Sequence, residues 1–129
     1  MIFWIEDNIE ITYNELVLDL KNEKPKNDLK GYNFIVSFLS RLLIGAKFSS
    51  IENIVNYIQS EKDKLSFRIQ TSGTTSTPKN VDVIISNCIR HVKVNNESCS
   101  DRIWGMGYPV ASFASTQVLF QSLMNKEAI

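Results

Sequence analysis

The sequence predicts an α/β domain, and three observations lead there. Residues 65–70 (LSFRIQ) alternate apolar and polar at a period of two, as a half-buried strand does, and residues 81–85 (VDVII) read as a second strand. Two stretches of helical period, around residues 34–43 and 51–58, precede them. Between those stretches Ala46-Lys47-Phe48 reads as a short strand, giving the helix–strand–helix order that an α/β layer needs. With 129 residues the chain amounts to a single domain, 1–129, able to bury roughly two thirds of its unfolded surface.

Each element has its own signal. Residues 2–5 and 10–12 are short apolar segments separated by Asp7-Asn8, a turn pair, so the chain opens with a small hairpin. Thr12 stands where a helix N-cap belongs, and Glu15 three residues later completes a capping box. Leu16, Val17 and Leu20 supply the apolar face of that helix, which ends in the polar run 21–30, where Pro25 forbids continuation. Gly31 opens the next helix. Phe34, Ile35, Phe38, Leu39, Leu42 and Leu43 recur along it at helical spacing, and Gly45 closes it. Ser49 or Ser50 caps a third helix carrying Ile51, Ile54, Val55 and Ile58. Past the strand pair, Ser86 is the expected N-cap of a helix over 87–94, with Cys88, Ile89 and Val92 on one face. Residues 101–104 return as a strand, and Gly105, Gly107 and Pro109 break the chain. Thr116, Leu119, Phe120 and Leu123 then mark a last helix, with no internal repeat and no long linker anywhere.

The loop between the two strands, residues 71–79, reads TSGTTSTPK. Its hydroxyls and backbone N–H groups are short donors, Gly73 lets the chain come close and turn, and Lys79 adds a mobile point charge. Such a loop suits a polyanion, phosphate first of all. Strands at both ends hold it, which lowers the ordering cost of binding. Spacing excludes a Walker loop: Pro78 stands where G-x-x-x-x-G-K-[ST] needs its second Gly, and Asn80 rather than Ser or Thr follows the Lys.

In register, the stretch resembles the phosphate-binding signature of the adenylate-forming (AMP-binding) superfamily: acyl-CoA synthetases, luciferases and the adenylation domains of peptide synthetases. Thr71, Ser72, Gly73, Thr74, Thr75, Pro78 and Lys79 match the family's [ST]-S-G-[ST]-T-G-x-P-K-G. Ser76 and Asn80 stand where the family has Gly. On left-handed backbone a Ser at 76 costs roughly 1 kcal/mol, and an Asn at 80 is tolerated better. Thr12-Tyr13-Asn14-Glu15-Leu16 is similar to the T-Y-x-E-L that these enzymes tend to carry early in the chain. Residues 101–129 follow the family's plan of a strand, a segment beginning at Pro, a helix and L-x-x-G-A, which frames its acyl pocket. Tyr108, Ser112 and Phe113 are the pocket residues this implies. Ser112 and Phe113 hold the places where the family often has a His or an aromatic residue, so no catalytic residue is carried over.

The fold implied by the resemblance is the N-terminal part of the large domain of an adenylate-forming ligase. It is a mixed sheet with flanking helices, incomplete relative to the family. The adenine-pocket segment with its metal-binding Glu, the ribose-binding Asp, the hinge and the C-terminal catalytic Lys would lie beyond Ile129. The function implied is a fragment of an ATP-dependent, AMP-forming acid–thiol ligase. Its partners are ATP, a small carboxylic acid, Mg2+ with its ligand outside this chain, and CoA or a carrier-protein thiol as acceptor. The phosphate-binding loop spans 71–80, with Thr71, Ser72, Gly73, Thr74, Thr75 and Ser76 around the phosphates and Lys79 as the point charge. Because the substrate's carboxylate is the nucleophile, the protein's task is to bind triphosphate and stabilise charge. The 129-residue chain is expected to be inactive by itself. The rival reading is a non-catalytic, self-associating module derived from that fold, forming a homo-oligomer through sheet edges and helix faces left uncovered.

Composition narrows the partners. Fourteen basic and 14 acidic residues balance to no net charge, so nothing points to nucleic acid or an anionic membrane surface. The most apolar run, residues 34–46, contains Arg41 and is too short to span a bilayer. The N-terminus has no positive region ahead of its apolar residues, and a cytoplasmic protein is expected. Cys88 and Cys99, without a CxxC, fit reduced thiols in the core or a loop. His91, the one histidine, lacks neighbours at ligand spacing and is expected as a surface or half-buried helix residue. Trp4 and Trp104 read as core or interface aromatics.

Overall fold

Asp7 and Asn8 both take left-handed backbone, with φ of 51° and 64°, the angles that a two-residue type I′ turn requires. In this computed structural model, which describes residues 1–25, 28–71, 79–93, 102–107 and 112–129, that turn joins β1 (Ile2–Glu6) to β2 (Ile9–Thr12) as an antiparallel hairpin. Thr12 then caps α1 (Tyr13–Asn22). Its hydroxyl accepts from the Glu15 N–H at 3.2 Å, and the Glu15 carboxylate accepts from the Thr12 N–H at 2.8 Å. Leu16, Val17 and Leu20 are buried as the pattern requires. The helix stops in a left-handed turn at Glu23, where the Lys24 N–H donates to the Asp19 carbonyl, so termination precedes Pro25.

The next helix, α2 (Lys30–Leu42), has no side-chain cap of its own at Leu29. Glu6 supplies one from the end of β1. Its carboxylate accepts from the Gly31 N–H at 3.0 Å, the Tyr32 N–H at 3.0 Å and the Trp4 indole N–H at 2.8 Å. Burial pushes the Glu6 pKa up, but these hydrogen bonds outweigh it and hold the carboxyl below its ordinary value. This contact also explains Gly31. A Cβ there would lie 3.0 Å from the Trp4 ring and 3.1 Å from the Glu6 carboxylate, tighter than a packed interior tolerates without a shift. Tyr32 is fully buried, and its hydroxyl donates to Asp19 at 2.6 Å, tying α2 to α1. Of the expected face, Ile35, Leu39, Leu42 and Leu43 are buried, whereas Phe34 is turned to solvent.

Ser50, rather than Ser49, caps α3 (Ile51–Glu61), accepting from the Asn53 N–H at 3.3 Å. Gly45 sits in the turn after α2 at φ 81°, as a closing glycine should. The expected strand at Ala46-Lys47-Phe48 does not form. The Ala46 N–H is taken by the Leu43 carbonyl in that turn, and the segment enters no ladder among the described residues.

Beyond α3, β3 (Ser66–Thr71) pairs antiparallel with β4 (Lys79–Ile84), two residues longer at its start than the sequence pattern indicated. The helix that follows departs further from expectation. Ser86 is not its N-cap: α4 (Ile85–Ile89) begins one residue earlier. The Ile85 and Ser86 N–H groups donate to the Leu65 and Lys62 carbonyls, so neighbouring backbone meets the need a side-chain cap would serve. Nor does it run to residue 94. Lys93 is held instead by α5 (Phe113–Asn125): Gln121 receives its N–H at 3.2 Å and donates to its carbonyl at 3.0 Å, and Asn125 donates to the same carbonyl at 2.9 Å.

The last helix ends in a left-handed turn at Lys126. The final residues run alongside β1: the Ile129 N–H donates to the Phe3 carbonyl and the Ile5 N–H to the Ile129 carbonyl, both at 2.8 Å. On the other side Ala128 makes an isolated parallel bridge to Ile103, all that forms of the strand expected over 101–104 within the described residues. The domain is therefore a mixed α/β fold of five helices and two two-stranded antiparallel sheets among the described residues. A single mixed sheet is not what forms, because helices separate the two hairpins in the chain and the parallel pairing is confined to the last residues. One apolar core joins the elements. Phe38 of α2 meets Phe67 of β3 edge-on at 5.2 Å and Phe120 of α5 at 6.3 Å, linking the second hairpin to the rest. No helix among the described residues is long and apolar enough to cross a membrane.

Candidate functional site

Alternation along β3 and β4 sets which side chains share a face. Phe67 pairs with Val83 and Ile69 with Val81 on one face, which Lys79 shares; Arg68 opposite Asp82 and Gln70 opposite Asn80 occupy the other. The first face reaches the core at Phe67 and grows more exposed toward Val81 and Lys79. On the second, the Arg68 guanidinium donates to Asp82 at 2.9 Å in the open. This exposed pair fixes register more than it adds stability.

The Thr71–Lys79 pair is the last rung of the ladder. Both ends of the hydroxyl-rich loop are thus fixed side by side, with Lys79 exposed at its root. Ser72, Gly73, Thr74, Thr75 and Ser76 lie outside the described residues, as does the side chain of Thr71. Asn80, one of the two departures from the family's glycines, is within the described strand. It pairs with Gln70 and is not among the residues of positive φ, so this backbone imposes no requirement for Gly there.

Of the expected acyl-pocket residues, Tyr108 is outside the described residues. Ser112 is the N-cap of α5, its hydroxyl accepting from the Ser115 N–H at 3.2 Å and its carbonyl from the Thr116 N–H. Phe113, the first residue of that helix, is 37% exposed. The structure therefore places Ser112 and Phe113 together at the start of α5, with the Ser112 hydroxyl engaged in capping. Phe120 lies two turns on and is wholly in the core.

A cavity of about 320 Å³ opens between α4 and α5, with Cys88, His91, Trp104, Gln117 and Val118 among its walls. Sequence reasoning did not assemble it, because its residues come from three separated segments and none belongs to a motif. His91 is exposed in the turn after α4 rather than within the helix, and accepts a hydrogen bond from the Arg90 guanidinium at 3.1 Å. Cys88 is buried as a free thiol, and burial pushes its pKa up to about 11, which makes it a small apolar group and not a nucleophile. Among the described residues no group of three or more His, Cys, Asp or Glu is placed to hold a metal ion. No family model, no curated protein and no solved structure matches the chain.

Proposed function

We propose that this chain supplies the triphosphate-gripping loop, and part of the acid pocket, of an ATP-dependent AMP-forming ligase. The observation that carries the reading is the closure of the β3–β4 ladder at Thr71 and Lys79 around a loop whose residues match the adenylate-forming signature at seven positions. A polyanion bound there meets donors whose ends are already fixed, and a cation at the root. In the reaction, a carboxylate oxygen attacks the α-phosphorus of ATP and the bond to pyrophosphate breaks. A thiolate from CoA or a carrier protein then attacks the acyl carbon and AMP leaves. The role of Thr71, Ser72, Gly73, Thr74, Thr75, Ser76 and Lys79 is to hold the β- and γ-phosphates while negative charge moves onto the departing pyrophosphate. Adenine, Mg2+ and the acyl-transfer step are assigned to residues outside this sequence, so the chain alone is expected to turn over nothing.

The test is pyrophosphate release by the longest product of the reading frame, given ATP, Mg2+ and a panel of carboxylic acids. Acid-dependent release supports the reading, and none with any acid, from a product that contains the downstream motifs, removes it.

A second reading, a self-associating module, is favoured by one feature of the same hairpin. β3 and β4 pair only with each other among the described strands, and Val81 and Ile84 are 41% and 43% exposed on them. Unpaired strand edges beside exposed apolar groups invite a second copy. Sedimentation velocity separates the two: a dimer with no nucleotide affinity belongs to the module, a nucleotide-binding monomer to the ligase.

A further inference from the structure

The cavity between α4 and α5 lies apart from Lys79, the described root of the candidate loop. Lys79 starts β4 and α4 continues from its far end at Ile84, so at about 3.3 Å per residue the strand puts roughly 16 Å between them. At about 320 Å³ the cavity is at the small end of ligand sites, which run from roughly 300 to 1,000 Å³.

Its walls differ in what they have left to offer. Trp104 is held from two sides: its backbone N–H donates to the Ala128 carbonyl at 2.8 Å, and its indole N–H to the Glu127 carboxylate, which is 1% exposed. With its polar edge used, the ring presents apolar π surface. Gln121 spends its amide on the Lys93 backbone, donor and acceptor both. The side chain of Gln117, half-buried, makes no hydrogen bond within the described residues. His91 accepts from Arg90 at Nε2, which leaves the ring proton on Nδ1 as a donor. The neutral Cys88 thiol and Val118 make the remaining surface apolar. Arg90 and Lys93 adjoin the lining residues His91 and Val92, and Glu127, the acid that meets the Trp104 wall, is committed to its indole.

We propose that this cavity is a binding site for a planar aromatic carboxylate of one or two rings, its ring against Trp104 and its carboxylate at Gln117, His91 and the neighbouring Arg90. The fixed indole supplies a flat, ordered platform, and the two spare donors beside a guanidinium are the complement of a carboxylate. Trp104, Gln117 and Val118 lie within residues 101–129, the stretch assigned above to the acid pocket, so the site would deepen that reading, but binding to this chain by itself is measured apart from any adenylation.

The experiment uses the two tryptophans of the sequence, which give two indole N–H signals in a ¹H–¹⁵N spectrum. Trp104→Phe assigns one of them. Titration of the full chain with 2-naphthoate should move the Trp104 signal to saturation and leave that of Trp4 in place. Cyclohexanecarboxylate, which lacks the flat ring, and 2-naphthamide, which lacks the charge, should each bind about tenfold more weakly or worse, and so should 2-naphthoate to Arg90→Ala and Gln117→Leu. Arg90 is exposed, so its variant keeps the test valid if Gln117→Leu does not fold. The proposal falls if the Trp104 signal stays still at millimolar 2-naphthoate. It falls equally if the two control compounds bind as tightly, or if the folded variants keep the parent's affinity.

Discussion

In the first hairpin Phe3, Trp4 and Ile11 are at most 5% exposed, whereas in the second no strand residue with a described side chain is fully buried. Both are antiparallel pairs of short strands, so length and pairing do not account for the contrast. What differs is the attachment. β1 is bonded along its free edge by Ile129 and caps α2 through Glu6, while β3–β4 meets the core through Phe67, which packs on Phe38, and its partner Val83, and presents its other face to solvent. A two-stranded ribbon is marginal unless something packs on it. The first hairpin thus serves as a structural joint, and the second as an arm that carries the candidate phosphate loop.

This contrast can be broken by substitution. Leu39, fully buried on α2, belongs to the shared core, and Leu39→Ala should cost about 2–5 kcal/mol in urea unfolding; a loss under about 1 kcal/mol would mean that the core is less continuous than described. Glu6→Gln should cost about 1.5–3 kcal/mol, because it removes the charge from a carboxylate that accepts three hydrogen bonds. The pH dependence has a definite sign. The folded pKa of Glu6 lies below the ordinary value of 4.5, so its contribution is complete above that value and is lost as pH falls through the folded pKa. The gap between parent and Glu6→Gln should therefore close in acid, and a gap that stays constant down to acid unfolding would show that the charge is not what caps α2. Smallest of all, Val81→Thr on the exposed second hairpin should change stability by no more than about 0.5 kcal/mol. A loss of core size there would place the hairpin inside the core.

Local signals were legible where a residue solves a local problem. Thr12 with Glu15, Ser50 before α3, and Gly45 at positive φ are each readable from neighbours in sequence. The two strands around the loop were legible by alternation. What stayed hidden is long-range. Glu6 caps a helix 25 residues away, Tyr13 donates to the Glu127 carbonyl, and Lys62 and Leu65 replace the cap expected at Ser86. The same applies to the cavity between α4 and α5, whose aromatic wall depends on Glu127 behind it. A mixed sheet was expected from resemblance, whereas pairing is decided by which segments the helices bring side by side. Of the candidate phosphate site, composition and register made the loop legible, and the structure adds the rung at its base and an extended, non-glycine position at Asn80.

The measurement that bears most directly on the loop is calorimetric titration of ATP into the longest product of the reading frame, with Lys79 intact and as Lys79→Ala. A charge-assisted contact worth about 1.5–3 kcal/mol predicts that the variant binds ATP roughly ten- to a hundredfold more weakly. Equal affinity in the two proteins would contradict the assignment of this loop to the triphosphate.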